Sequence, residues 1–142
     1  MLKVRDIKSV QDPQSSCERP VMINTIKAGF PSPAAHEYGE SLDLNNYLIQ
    51  RPESTFFIRV SGESMTDVGI FSGDLLIVDR SIQAQHRQIV IAIVDEEFVV
   101  KRLYKKEGNI KLQSENKLYP DIDVKNDLVI WGVVTYTIHK PQ

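Results

Sequence analysis

Six stretches rich in Val, Ile, Phe and Tyr follow one another from residue 55 onward: Thr55–Val60, Asp74–Asp79, Gln88–Asp95, Glu97–Tyr104, Asn109–Gln113 and Asp127–His139. Turn-type residues separate most of them. β-Branched and aromatic side chains suit a pleated surface, so runs bounded in this way predict β-strands. The last run is long enough to bend or to contain a break. Residues 1 to 40 read differently. They are rich in Ser, Pro, Gln and charge and carry no sustained helical or alternating apolar period, which predicts an arm that is extended or mobile unless something docks it. Within it, "IKAGFPSPAA" at residues 26–35 holds Ala28-Gly29 ahead of Pro31 and Pro33. Prolines and the residues before them favour open backbone. Asp43 can cap a short helix whose apolar side is Leu44, Tyr47 and Leu48, and Arg51-Pro52 ends it. The expected protein is mainly β. Residues 1–40 form the arm, and residues 41–142 form a compact antiparallel β domain with one short helix.

Composition narrows the class. The chain has 142 residues, 42% hydrophobic and 25% charged, with a net charge of −2 and a pI of about 5.9. That suits one domain with a core plus looser chain. It argues against a broadly basic nucleic-acid surface. One cysteine, Cys17, cannot form an intrachain disulfide, which fits a reducing compartment. The N-terminus has no apolar segment of the secretory kind. The apolar run Ile89–Val94 is too short to span a bilayer. A cytoplasmic protein with no membrane contact is expected. There are no internal repeats or low-complexity tracts.

Two residues carry candidate chemistry. On a strand over 97–104, alternation puts Phe98, Val100, Arg102 and Tyr104 on one face and Glu97, Val99, Lys101 and Leu103 on the other. Lys101 thus shares its face with apolar neighbours. Burial would lower its pKa, and a neutral lysine amine is a general base. The plainer alternative is an edge-strand lysine that snorkels to solvent or blocks aggregation. Ser64 lies in "VSGESM", residues 60–65, after a predicted strand. Gly62 permits a tight turn there, and such a turn can aim N–H groups at an oxyanion. A serine hydroxyl needs a base to become nucleophilic. By itself it is also an ordinary turn residue. His36, His86 and His139 sit in no recognisable triad motif. No cluster has metal-ligand spacing and no glycine-rich phosphate loop occurs, so no metal or cofactor is expected. A Ser-Lys pair is the nucleophile and base that the chain offers in context.

"SGESM", "GIFSGDLLIVDRS" and "FVVKRL", in that order, resemble the self-cleaving peptidase domain shared by the LexA repressor, phage repressors and the UmuD mutagenesis protein, the S24-type family. The 37-residue separation of Ser64 and Lys101 suits that pattern. "AGFPSPAA" at 28–35 resembles the cleavage segment of UmuD, and "WGVVT" at 131–135 resembles the tail of the group. The resemblance runs from about residue 26 to the end. It implies a β domain of the LexA/signal-peptidase-like type, with Ser64 as nucleophile, Lys101 as base and Ala28-Gly29 as the scissile bond. The backbone N–H groups of Ser64 and Glu63 are the oxyanion candidates. It further implies a homodimer whose cleavage is stimulated by the RecA filament on single-stranded DNA. The shortened dimer would then serve a UmuC-type Y-family polymerase in error-prone translesion synthesis during the SOS response.

About 25 residues separate Gly29 from the first core strand, a reach of roughly 80 Å when fully extended. The arm can therefore reach its own site or that of a dimer mate, and tethering raises the local concentration of the bond. Two positions depart from the family: Arg87 and Glu96 stand where relatives usually have glycine. Arg87 lies in the turn before the Ile89 strand and Glu96 in the hairpin "VDEEF". A type I′ turn at the hairpin asks for positive φ, so it is either of another type or strained. Three other readings compete. A repressor would need a helix-turn-helix ahead of the cleavage site, and the 28 residues present lack one, so sequence-specific DNA binding is not expected. A signal peptidase would need a membrane anchor. A non-catalytic dimeric module of the same fold would carry the same pattern.

Overall fold

The computed structural model describes residues 2–9, 18–22, 38–124 and 128–142. The chain divides into two compact units, residues 1–11 with 51–142, and residues 12–50. In the larger unit the strands are β1 (Lys3–Ser9), β4 (Thr55–Ser61), β5 (Leu75–Asp79), β6 (Ile89–Val94), β7 (Glu97–Lys106), β8 (Asn109–Gln113), β9 (Ile122–Asp123) and β10 (Val129–Ile138). The six runs read from the pattern are all strands, displaced by at most two residues at an end. The fold is the expected mainly β, antiparallel one.

Strand order is β1-β4-β5-β10-β6-β7-β8-β9, and Lys3 of β1 also lies opposite Val99 of β7. Six strands therefore close on themselves, with β1 as the closing strand between β4 and β7. Closure of this kind removes sheet edges. β1 had no strand signature, and residues 3–9 belong with the large sheet rather than with the rest of the expected arm.

Side-chain alternation sorts the core into two clusters. Val100 faces Leu2, Ile58, Val60, Met65, Ile70, Leu76, Val78 and Ile91, with Phe98 and Trp131 packed against them. Val99 and Leu103, on the opposite face of β7, join Val90, Ala92, Leu112 and Val133. β7 is thus buried on both faces over residues 99–101. The long final run does break as expected, through register shifts between Ile130 and Gly132 and between Val134 and Tyr136. At the first, Gly132 is required: a Cβ there would lie 2.6 Å from Val78 Cγ1. Trp131 meets Phe56 and Phe98 edge-on, and the Arg80 guanidinium sits 4.4 Å from its ring centre.

The departures at Arg87 and Glu96 resolve as positive-φ positions. The β6–β7 turn has Asp95 at φ 49° and Glu96 at φ 65°, the pattern of a type I′ turn, and Arg87 is at φ 75°. Left-handed backbone costs an L-residue about 1–2 kcal/mol, partly offset by glycine's larger unfolded-state entropy. Glu96→Gly is expected to raise stability by about 0.5–1 kcal/mol, read as a higher urea midpoint with unchanged slope.

Asp79 closes β5 and is buried. Burial alone would raise its pKa. The Ser81 hydroxyl and N–H, the Ser54 hydroxyl and the Arg51 guanidinium all donate to it, and together they hold it at about 2. A carboxylate with a lowered folded pKa stabilises above its unfolded value and loses that contribution as pH falls through the folded one. Asp79→Asn should therefore cost about 2 kcal/mol at neutral pH. The deficit should shrink between pH 4 and 2 in melting curves.

In the smaller unit, β2 (Glu18–Met22) pairs antiparallel with β3 (Tyr38–Asp43). The boundary read at residues 40/41 falls inside β3. Asp43 caps α1 (Leu44–Leu48) as expected, accepting from the Asn45 N–H at 3.0 Å. Leu44 and Tyr47 on its expected apolar side are exposed. The span from Gly29 to β4 contains β3 and α1, so its reach is shorter than that of open chain.

Candidate active site

Ser64 stands three residues past the end of β4. Val60 is fixed by paired bonds to the next segment: its N–H donates to Asp74 O at 3.1 Å, and its carbonyl accepts from the Gly73 N–H at 2.8 Å. The chain then turns at Gly62, whose φ of 114° suits glycine alone among common residues. The Gly62 N–H donates to Ser72 Oγ at 3.2 Å. A single 3-10 turn, Thr66–Val68, follows. Ser64 is fully buried, and its Oγ accepts a 2.7 Å hydrogen bond from the Leu2 N–H. Leu2 is itself fully buried in the first core cluster. The hydroxyl therefore lies where β1 begins.

Lys101 is 1% exposed, opposite Val90 of β6. Alternation along β7 placed it among apolar neighbours, and it lies there; the edge-strand alternative does not hold. Burial pushes its pKa below the ordinary 10.5, and the negative charge of Asp121 works against that shift. Its amine donates to Ser114 Oγ. The reason is register. β7 and β8 pair from Lys106↔Asn109 to Arg102↔Gln113, so the next residue, Ser114, comes level with Lys101.

The segment carrying Ser114 also binds the serine loop. The Asp67 N–H donates to Glu115 O at 2.7 Å, and Asn116 Nδ2 donates to Glu63 O at 2.7 Å and to Thr66 Oγ1 at 3.3 Å. Arg102 pairs with the Glu115 carboxylate. The start of β1 completes the link: Leu2 touches Ser64, and Lys3 faces Val99, two residues from Lys101. Ser64 and Lys101 thus sit on pieces of chain tied to each other, one hydroxyl held by Leu2 and the amine by Ser114.

Ser114, Asn116 and Leu2 did not emerge from sequence reasoning. A hairpin register counted from the Glu107-Gly108 turn would have pointed to Ser114. Nothing local marks Leu2. Ala28 and Gly29, with Cys17 and His36, lie outside the described residues. His139 is engaged by Asp74 at 2.6 Å and packs on Phe71, and His86 Nδ1 accepts from the Lys105 N–H. Among the described residues no group of His, Cys, Asp and Glu could hold a metal, and no helix is long and apolar enough to cross a membrane.

The structure presents an antiparallel β domain with a buried loop serine and a buried strand lysine, and comparison with known proteins assigns the family. Residues 20–135 match the Peptidase S24-like family, and the chain belongs to it. It is 46% identical over 129 residues to protein ImpA of Salmonella typhimurium, covering 87% of this chain and 86% of that one. It is 47% identical over 132 residues to protein SamA of Salmonella typhimurium strain LT2, covering 93% and 92%. To protein MucA of Escherichia coli it is 45% identical over 122 residues, covering 84% and 83%. The UmuD-like character read from the motifs stands within this family.

Proposed function

We propose that the chain is a self-cleaving serine endopeptidase of the SOS response, with Ser64 as nucleophile and Lys101 as base. The single observation that carries this is a lysine amine kept from water on a core strand, its pKa lowered, in a chain of a peptidase family. Neutral Lys101 takes the Ser64 proton as Oγ attacks the Ala28 carbonyl carbon. The N–H groups of Ser64 and Glu63 receive the developing oxyanion. The Lys101 ammonium then protonates the Gly29 nitrogen as the C–N bond breaks. Water, deprotonated by the same amine, hydrolyses the ester and frees Ser64. The enzyme is its own substrate, so each active site acts once on its arm.

In this reading the protein is a cytoplasmic homodimer. The RecA filament on single-stranded DNA shifts the arm toward its docked state, and the processed dimer assists a UmuC-type Y-family polymerase in translesion synthesis. Purified protein incubated at alkaline pH, or with RecA, single-stranded DNA and a nucleotide, should release residues 1–28, identified by mass spectrometry. A chain that stays intact under every one of these conditions would favour a non-catalytic dimeric module of the same fold.

A further inference from the structure

Lys101 can serve as a base only if its lone pair points at the hydroxyl it must deprotonate. An amine on a four-carbon stem has free rotation about its last bond unless something holds an N–H. The Lys101 N–H is held: it donates to Ser114 Oγ. Ser114 follows directly on β8, whose five register pairs with β7 fix its level. Its neighbours pin it further, through the Glu115 carbonyl on Asp67, the Glu115 carboxylate on Arg102 and the Asn116 amide on Glu63 and Thr66. A hydroxyl anchored on the serine loop's own tether is well placed to keep the amine aimed toward that loop.

We infer that Ser114 is the positioning residue of the base, holding one N–H of Lys101 so that the amine's lone pair faces Ser64. The inference rests on the Ser-Lys reading above. Ser114 touches neither substrate nor reacting atoms; it acts through Lys101. Its oxygen accepts from the neutral amine before the reaction and from the ammonium afterwards, and the second bond is the stronger. Losing it therefore has two effects of opposite character. The amine loses its aim, which slows proton transfer, and the ammonium loses support, which lowers the pKa. The charged group acting on Lys101 from its surroundings is Asp121, whose negative charge raises its pKa; Arg102 and Glu115, the sequence neighbours of Lys101 and Ser114, pair with each other.

The test uses the full chain in two arms. In the first, the self-cleavage rate is followed against pH for wild type, Ser114→Ala and Ser114→Thr. Ser114→Ala should lower the alkaline plateau by about tenfold or more, while the acid limb moves to lower pH by about half a unit to one unit. Ser114→Thr, which keeps the hydroxyl, should restore both. In the second, the Lys101 side chain is titrated by 13C NMR in the uncleavable Ser64→Ala background, with and without Ser114→Ala. The same downward displacement is expected. A plateau that falls with no displacement of the titration marks a packing role and overturns the inference, as does a displaced titration with an unchanged plateau. If the wild type does not cleave at all, the catalytic reading fails on its own. The NMR arm then decides whether Ser114 holds the amine.

Discussion

Lys101→Met and Ser64→Ala should both keep the chain at full length while wild type sheds its arm, with rates down by roughly 10^4-fold or more. Stability should separate them. Removing the Ser64 hydroxyl takes an acceptor from the buried Leu2 N–H, a loss of about 1 kcal/mol. Replacing the buried ammonium by an apolar group of similar length removes a desolvation penalty and should stabilise by about 1–3 kcal/mol near neutral pH. The sign follows from the lowered pKa. The unfolded chain holds the Lys101 proton up to about 10.5, and the folded chain releases it earlier. Wild-type stability therefore rises with pH between the two values, and the penalty is complete below the lower one. The advantage of Lys101→Met should be largest near neutrality and should fade toward pH 10.5, while wild-type cleavage rises over the same interval. Melting curves across that range, beside a gel assay, check both. A Lys101→Met protein less stable than wild type at every pH would show that the amine is not desolvated, and the catalytic case would go with it.

Leu2→Asp should accelerate self-cleavage by about tenfold or more. Leu2 is completely buried, and its N–H donates to Ser64 Oγ, the nucleophile of the proposed reaction. Burial of a leucine side chain contributes about 2–3 kcal/mol, and a carboxylate in the same apolar cluster cannot remain. The start of β1 then leaves the neighbourhood of Ser64, and the cleavage segment meets a vacant hydroxyl more often. β1 keeps its pairing with β4 beyond the first residues, so the melting temperature should fall by only a few degrees. Leu2→Asp that cleaves no faster, with melting showing the domain intact, would mean that this contact does not gate the site.

Both expectations have the same root. Lys3 lies opposite Val99, so the start of β1 lies between β4 and β7, two residues along β7 from Lys101. Residues 1–28 include β1, and processing would remove the strand that closes the sheet. The same strand also explains why the arm was only half legible. "KVRDIKS" holds two apolar residues among five polar ones, too few for a strand signature. Its strand character comes from the ladder that β4 offers. β2 and the two-residue β9 likewise owe their form to partners rather than to their own composition.

The sequence by itself determined the six core strands, the Asp43 cap, the apolar face around Lys101 and the turn that carries Ser64. These follow from side-chain periods of two, from capping chemistry and from glycine's freedom, all of which act between near neighbours. Even the Lys101–Ser114 contact was latent in the hairpin count. Tertiary structure decided the rest. It placed Glu96 at positive φ, because strand twist sets the β6–β7 hairpin turn whatever residue fills it, and it placed Arg87 at positive φ in the turn that leads into β6. It also joined Leu2 to Ser64 across 62 residues. That contact depends on closing a sheet through a non-local pairing, whose geometry no stretch of either segment encodes.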